Sequence, residues 1–246
     1  MLAFRIPKPI TIIGDHTNRA ISFASCNFWT SINFNKIVET QPLCDSSLKI
    51  LNYIHTNNHF QKNIIIKDLY PNDDFAKIQS ALFGGLNYLT TNNDLWFSIS
   101  LDYKKEFFEH LMIFEINKNF FEYKKETEKN LIKIDNLEKM VSDFYDSYQE
   151  NNWVFLGQLI NSYWKIKREI DPNSKNPYIE RLYSDCRLNG AIGGKMDESL
   201  MILFVPKENQ ENIKRIMIDH TQINNSVDLN GLLYQEIFSG SSNCCK

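Results

Sequence analysis

The sequence predicts an α+β protein in which mixed or antiparallel sheets are covered by helices. Short apolar runs bounded by Gly, Pro and polar turns fill residues 10–116, and helical periodicity takes over from 120 to 189. Strands and helices then mix again to the end of the chain. Clustering of this kind, in place of strict alternation, argues against a doubly wound parallel sheet. With 246 residues, 43% hydrophobic and 13% aromatic, the chain can bury a substantial core.

Taken in order, residues 10–14 (ITIIG) are an apolar run that stops at glycine, suited to a buried strand. Residues 20–34 alternate loosely and read as a long strand or hairpin. Ser46 and Ser47 are placed to cap a helix through Thr56, with Leu48, Leu51 and Ile54 on one face. Residues 63–69 (NIIIKDL) form another strand, after which Asp73 and Asp74 open a helix that ends at Gly84 and Gly85. Ile78, Ala81 and Leu82 mark its inner side. Strands are predicted at 86–90 and 95–101 around a TNND turn, and at 111–116 after a short helix. A long charged helix occupies much of 120–150, and a second starts at Trp153. Asn176 followed by Pro177 begins the next helix, which closes at Asn189 and Gly190. A tight Gly193–Gly194 turn, a buried strand over 200–206, a helix over 207–219 and strands near Ile223 and over 232–238 complete the chain.

Composition narrows the function classes. A net charge of −3 without a basic stripe argues against a nucleic-acid partner. No apolar run is long enough to span a bilayer, and residues 1–14 lack the shape of a signal peptide, which points to the cytoplasm. The five cysteines, Cys26, Cys44, Cys186, Cys244 and Cys245, show no metal-ligand spacing. No metal site is expected.

Four stretches carry a family resemblance, which runs from Arg5 to about Ile237. Near the start, R-x-P-x-x-I-T-I-I-G-D-H-T-N places Arg5, Pro7, Ile10, Gly14 and Thr17 in a strand-and-loop pattern. Later, A-K-I-Q-S-A-L-F-G-G-L-N-Y contains Phe83, Gly84, Gly85, Asn87 and Tyr88. Gly157, Leu159, Ser162, Trp164 and Lys167 share a helix, and Gly193, Gly194 and Lys195 precede a strand that ends in Pro206. Together these resemble the GHMP kinases, and in particular the bacterial heptose 7-phosphate kinase branch of small-molecule sugar kinases. The resemblance implies a two-lobed fold with a shortened N-terminal lobe over 1–105, a C-terminal lobe over 106–240 and a polar tail over 241–246.

What the resemblance implies for a site is uneven. The first loop touches the sugar in the family, so Arg5, Asp15, His16, Thr17 and Asn18 are substrate-side candidates, together with Lys195. Short polar side chains held at a strand end suit hydroxyl recognition. The alternative is an ordinary capped turn. The family's phosphate loop should follow the strand at 63–69, yet Tyr70, Pro71, Asn72, Asp73, Asp74 and Phe75 stand there without a glycine or serine. Two carboxylates repel phosphate, so Asp73 and Asp74 read as a helix N-terminus in preference to Mg²⁺ ligands. Lys77 occupies the family's catalytic aspartate position, and a protonated lysine cannot accept the proton of an attacking hydroxyl. No catalytic residue is assigned. The family's third, glycine-rich loop is replaced by Met196, Asp197, Glu198 and Ser199, with Asp197 and Glu198 read as a solvated turn. Trp164 reads as a core aromatic, and Lys165, Lys167 and Arg168 as a solvated face.

The leading expectation is therefore a pseudokinase that binds a sugar or sugar phosphate, or regulates, without ATP. No cofactor is expected on that reading. An active sugar kinase with unconventional loops, using ATP and Mg²⁺, is the alternative, and a non-catalytic subunit of a complex is the second. Homo-oligomer formation or a protein partner fits each. New acid–base chemistry at His16, Asp15 and Lys77 is the remaining possibility, disfavoured because a lone His at a strand end is usually structural.

Overall fold

The computed structural model describes residues 2–14, 17–33, 36–39, 49–50, 53–54, 61–62, 75–92, 95–116, 131–170, 175–223, 225–230 and 233–236. Its strands form two sheets. One joins β10 (Leu233–Glu236), β1 (Leu2–Ile13), β2 (Arg19–Asn33), β4 (Leu86–Asn92) and β5 (Leu95–Leu101) in that order, with β3 (Lys36–Glu39) on β2, and the other joins β7 (Gly193–Asp197), β8 (Leu200–Phe204), β6 (Leu111–Glu115) and β9 (Thr221–Ile223). The chain divides into two compact units, each discontinuous in sequence: residues 1–9, 23–85 and 227–246, and residues 10–22 and 86–226. The boundary expected between 105 and 106 falls inside the second unit. The architecture is α+β, with antiparallel pairing at every strand pair whose register is described.

In the first unit, β1 (Leu2–Ile13) pairs antiparallel with β10 (Leu233–Glu236), setting Arg5 opposite Leu233. Strand β2 (Arg19–Asn33) pairs with β3 (Lys36–Glu39). Helix α1 (Phe75–Phe83) buries Ile78, Ala81 and Leu82 as its periodicity predicts. It ends at Gly84 and Gly85, whose φ values of 77° and 74° favour glycine. This turn is tied on both sides, because the Gly85 N–H donates to the Asp228 carbonyl and the Gly85 carbonyl accepts from Ala24 N–H (2.6 and 3.2 Å). Lys49, Ile50, Tyr53 and Ile54 are helical, while the proposed caps Ser46, Ser47, Asp73 and Asp74 and the strand at 63–69 lie outside the described residues.

In the second unit, β4 (Leu86–Asn92) and β5 (Leu95–Leu101) form the expected hairpin. After α2 (Lys105–His110), strand β6 (Leu111–Glu115) enters the second sheet. Helices α3 (Leu131–Gln149), α4 (Trp153–Ile170) and α5 (Pro177–Leu188) follow. The Asn176 side chain accepts from the N–H groups of Tyr178 and Ile179, and Pro177 fills the first helical position, so this start is the one the sequence encodes.

Strands β7 (Gly193–Asp197) and β8 (Leu200–Phe204) are buried along their whole length. Here the sequence expectation is corrected: Gly193 and Gly194 are strand residues, not a turn. The real turn is Glu198–Ser199, set by Asp197 opposite Leu200. The helix expected over 207–219 is also shorter, being 3-10 across Lys207–Asn209 and α-helical only in α6 (Gln210–Ile216) before β9 (Thr221–Ile223).

The second sheet is covered on both faces. Met201 and Leu203 of β8 join Met112, Phe114, Met196, Trp164, Ile179, Leu182, Cys186 and Ile213 in one cluster. On the other face, Phe107 is the hub, with ring centroids 5.2 Å from Tyr148 and 5.7 Å from Phe204. The Lys104 ammonium donates to the carbonyls of Tyr148 and Gln149 (2.6 and 3.0 Å), satisfying orphan groups at the end of α3.

Trp164 is almost fully buried, as expected of a core aromatic. Trp164→Ala should cost about 3–5 kcal/mol by cavity formation, read from urea unfolding. A second expectation concerns alkaline pH. Burial pushes the phenols of Tyr148 and Tyr183 up to about 12. Both hydroxyls donate, to the Asp102 carbonyl and to Asn161 Oδ1. A folded value above the unfolded one, about 10, gives stability that is intact below pH ~10 and lost as pH rises towards 12. Urea midpoints should fall less steeply over that window in the Tyr148→Phe, Tyr183→Phe double variant than in the parent protein.

Candidate functional site

The loop joining β1 to β2 is held by backbone geometry. Gly14 has φ 96°, and a Cβ there would lie 2.1 Å from the Arg19 carbonyl oxygen, so only glycine fits. The Thr17 hydroxyl is within hydrogen-bonding distance of the Gly14 carbonyl (3.1 Å) and of the Arg19 carbonyl, and accepts from Arg19 N–H (3.3 Å). Asn18 donates its N–H to Glu138 Oε1 (3.0 Å), and its carbonyl accepts from Thr91 N–H (3.1 Å). The Arg19 guanidinium donates to the Ser142 hydroxyl. Glu138 and Ser142 lie four residues apart on α3 and so share one helix face. The loop is thus clamped to α3 and β4 while the Asn18 side chain is left exposed.

The second half of the site is β7. A Cβ on Gly193 would lie 1.8 Å from the Gly157 carbonyl oxygen, and one on Gly157 would lie 2.6 Å from Ile192. Strand and helix α4 therefore meet backbone to backbone. Alternation along β7 puts Lys195 and Asp197 on the same face as Gly193. Lys195 is fully buried, with its ammonium 5.9 Å from the centroid of the Tyr163 ring. Asp197 is 5% exposed and its Oδ2 accepts from Thr11 N–H at 3.0 Å. Asp197 is consequently not part of a solvated turn, which corrects the sequence reading; Glu198 alone is exposed there. The Thr11 hydroxyl is buried without a hydrogen-bond partner among the described residues.

No protein-family model matches the sequence, and no curated protein sequence does either. Solved structures do match. A D-glycero-D-manno-heptose 1-phosphate kinase from Bacteroides thetaiotaomicron is similar with a TM-score of 0.66 at 12% identity, over 97% of this chain and 100% of that one. Mevalonate diphosphate decarboxylase from Staphylococcus aureus gives 0.59 at 13% identity, over 96% and 99%. The mevalonate kinase of L. major, in complex with R-mevalonate, gives 0.61 at 12% identity, over 90% and 95%. This is the GHMP-kinase fold.

On the GHMP frame, the expected site residues fall out as follows. Arg5 lies in β1 within the first unit. Asp15 and His16 lie outside the described residues. Thr17 and Asn18 sit on the clamped loop of the second unit, Thr17 with its hydroxyl turned to the loop's own backbone. Lys195 is in the same unit, sealed beneath α4 in this conformation. Lys77 lies on α1 in the first unit, 7% exposed. Of the basic residues read as a solvated face, Lys165 is exposed, whereas Arg168 pairs with Glu180 at 3.5 Å and lies over the Trp164 ring.

Sequence reasoning missed Asp197, Glu138, Ser142 and Arg19. The partners lie 186, 120 and 123 positions apart, and no local pattern announces them. A signal for Asp197 did exist: it stands two residues after Lys195, which fixes its face once Gly193 is known to be in a strand.

Asp197→Ala removes the acceptor of a buried N–H and should cost about 1–3 kcal/mol, with faster amide exchange at Thr11. Asp197→Asn keeps an oxygen acceptor and should lose less. Equal losses in the two variants would show that the carboxylate charge, not the hydrogen bond, matters.

Proposed function

We propose that this chain is a cytoplasmic binding or regulatory protein on a sugar-kinase frame: a pseudokinase that takes a sugar or sugar phosphate and transfers no phosphoryl group. The observation that carries the reading is the β7–β8 connection. Where the GHMP resemblance calls for a flexible glycine loop, two residues, Glu198 and Ser199, join Asp197 to Leu200. A two-residue hairpin has no slack with which to close over a nucleotide.

A further feature supports it. Phosphoryl transfer depends on positioned donors, metal ions and a proton acceptor. Lys77, at the position of the family's catalytic aspartate, is buried on α1 and offers no carboxylate to take the proton of an attacking hydroxyl. No step is assigned to ATP·Mg²⁺. Among the described residues, no helix is long and apolar enough to cross a membrane.

On this reading Asn18 contacts the sugar, with Asp15 and His16 as further candidates from the sequence, and Lys195 supplies positive charge from beneath the strand. Asn18 and Arg19 are held by α3 and β4 without a ligand.

Thermal unfolding with millimolar sugar phosphates, ATP·Mg²⁺ and ADP tests this. A ligand at 100 times its Kd adds about 2.7 kcal/mol to the native state and raises the midpoint. A heptose or hexose phosphate should raise it, nucleotides should not, and Asn18→Ala, whose side chain is exposed, should abolish the shift without changing the unliganded midpoint. A rise with ATP·Mg²⁺, followed by label transfer from ATP to a sugar, would replace this reading with that of an active kinase.

A further inference from the structure

Strand β5 ends the described order of the larger sheet. Its pairing with β4 puts Phe97 opposite Thr90 and Ile99 opposite Tyr88. Cross-strand partners share a face, so Phe97, Ile99 and Tyr88 point to one side, where Tyr88 stacks on Tyr145 of α3 at 4.6 Å. Phe97 is 47% exposed and Ile99 43%, and Ser98 and Ser100 on the opposite face are exposed as well. Both faces of the strand are therefore open at its middle.

Edge strands are normally blunted by a charge, a proline or a bulge, because unpaired N–H and C=O groups recruit other strands. Residues 95–101, LWFSISL, contain no charge, no proline and no glycine. The pattern is also close to palindromic about Ser98, with a large apolar residue on each side of it and leucine at both ends.

The geometry points to β5 as the seam of a symmetric homodimer, in which two copies of this chain pair strand to strand, antiparallel, about Ser98. In that register Phe97 of one copy faces Ile99 of the other, twice, as two-fold symmetry requires. The apolar band that begins at Tyr88 then continues across the seam. Neutrality matters here: a protein of net charge −3 meets its own copy without like charges opposed along the strand. The two β4 strands would stand three strand spacings apart, about 14 Å.

A second copy fits better than an unrelated peptide because the register is self-complementary, and a one-residue slip would send every side chain to the wrong face. The seam is independent of the sugar reading, and its test does not involve ligand.

Sedimentation velocity on the full chain, over a range up to about 100 µM, gives the oligomeric state without ambiguity from mass action. The parent protein should be a dimer. Phe97→Lys with Ile99→Lys opposes two lysine pairs across the seam and should give a monomer. Phe97→Glu with Ile99→Glu should do the same. An equimolar mixture of the two double variants should regain the dimer, because each lysine then faces a glutamate. Both positions are half-exposed, and an unchanged circular dichroism spectrum confirms folding. Phe155→Lys, a comparably exposed residue on α4, should leave the dimer intact. A parent protein that is monomeric across the range overturns the proposal, as does a dimer indifferent to both double variants. A dimer that both variants lose and their mixture does not restore overturns the register.

Discussion

The contact on which the second unit depends is the meeting of α4 and β7 at Gly157 and Gly193. A Cβ on Gly193 would sit 1.8 Å from the Gly157 carbonyl oxygen, so neither packing nor a rotamer change could make room for one. Removing both side chains lets a helix lie directly on a sheet edge. Everything on that face of β7 is then fixed by alternation. Lys195 falls under Tyr163, and Asp197 reaches the backbone of Thr11. The strand that carries Thr11 leads straight into the loop at Gly14. A pair of glycines thus helps set the distance between a hairpin and the segment that begins at Gly14.

That hairpin is also where the chain parts from the behaviour its fold suggests. A long glycine loop is mobile and offers many N–H groups to a phosphate. A two-residue turn with an inward aspartate is shorter, and its buried carboxylate accepts from Thr11 N–H. Elsewhere in the same unit, Asn18 and Arg19 are held by Glu138, Ser142 and Thr91.

The aromatic hub around Phe107 plays a supporting role. It joins α2, α3, α4 and β8 through rings at 5–6 Å, and Lys104 closes the end of α3 above it. Because α3 also carries Glu138 and Ser142, the core that seats this helix is the same core that seats the loop.

Much of this was written in the sequence itself. Period and capping placed α1, α4 and α5, with Asn176 and Pro177 opening α5 and paired glycines closing α1, because those signals act within a turn of helix. Trp164 was legible as a core aromatic on the helix that carries part of the family resemblance. Motif spacing was enough to suggest the fold that the solved structures share. Tertiary structure alone decided that Gly193 and Gly194 lie in a strand. Glycine has no β preference, and only the approach of α4 to within backbone contact gives that segment its conformation. It alone decided that Asp197 is buried and that Glu138 and Ser142 hold Asn18 and Arg19. Those partners are more than a hundred residues apart, and hydrogen bonds formed across such distances leave no periodic trace in the chain.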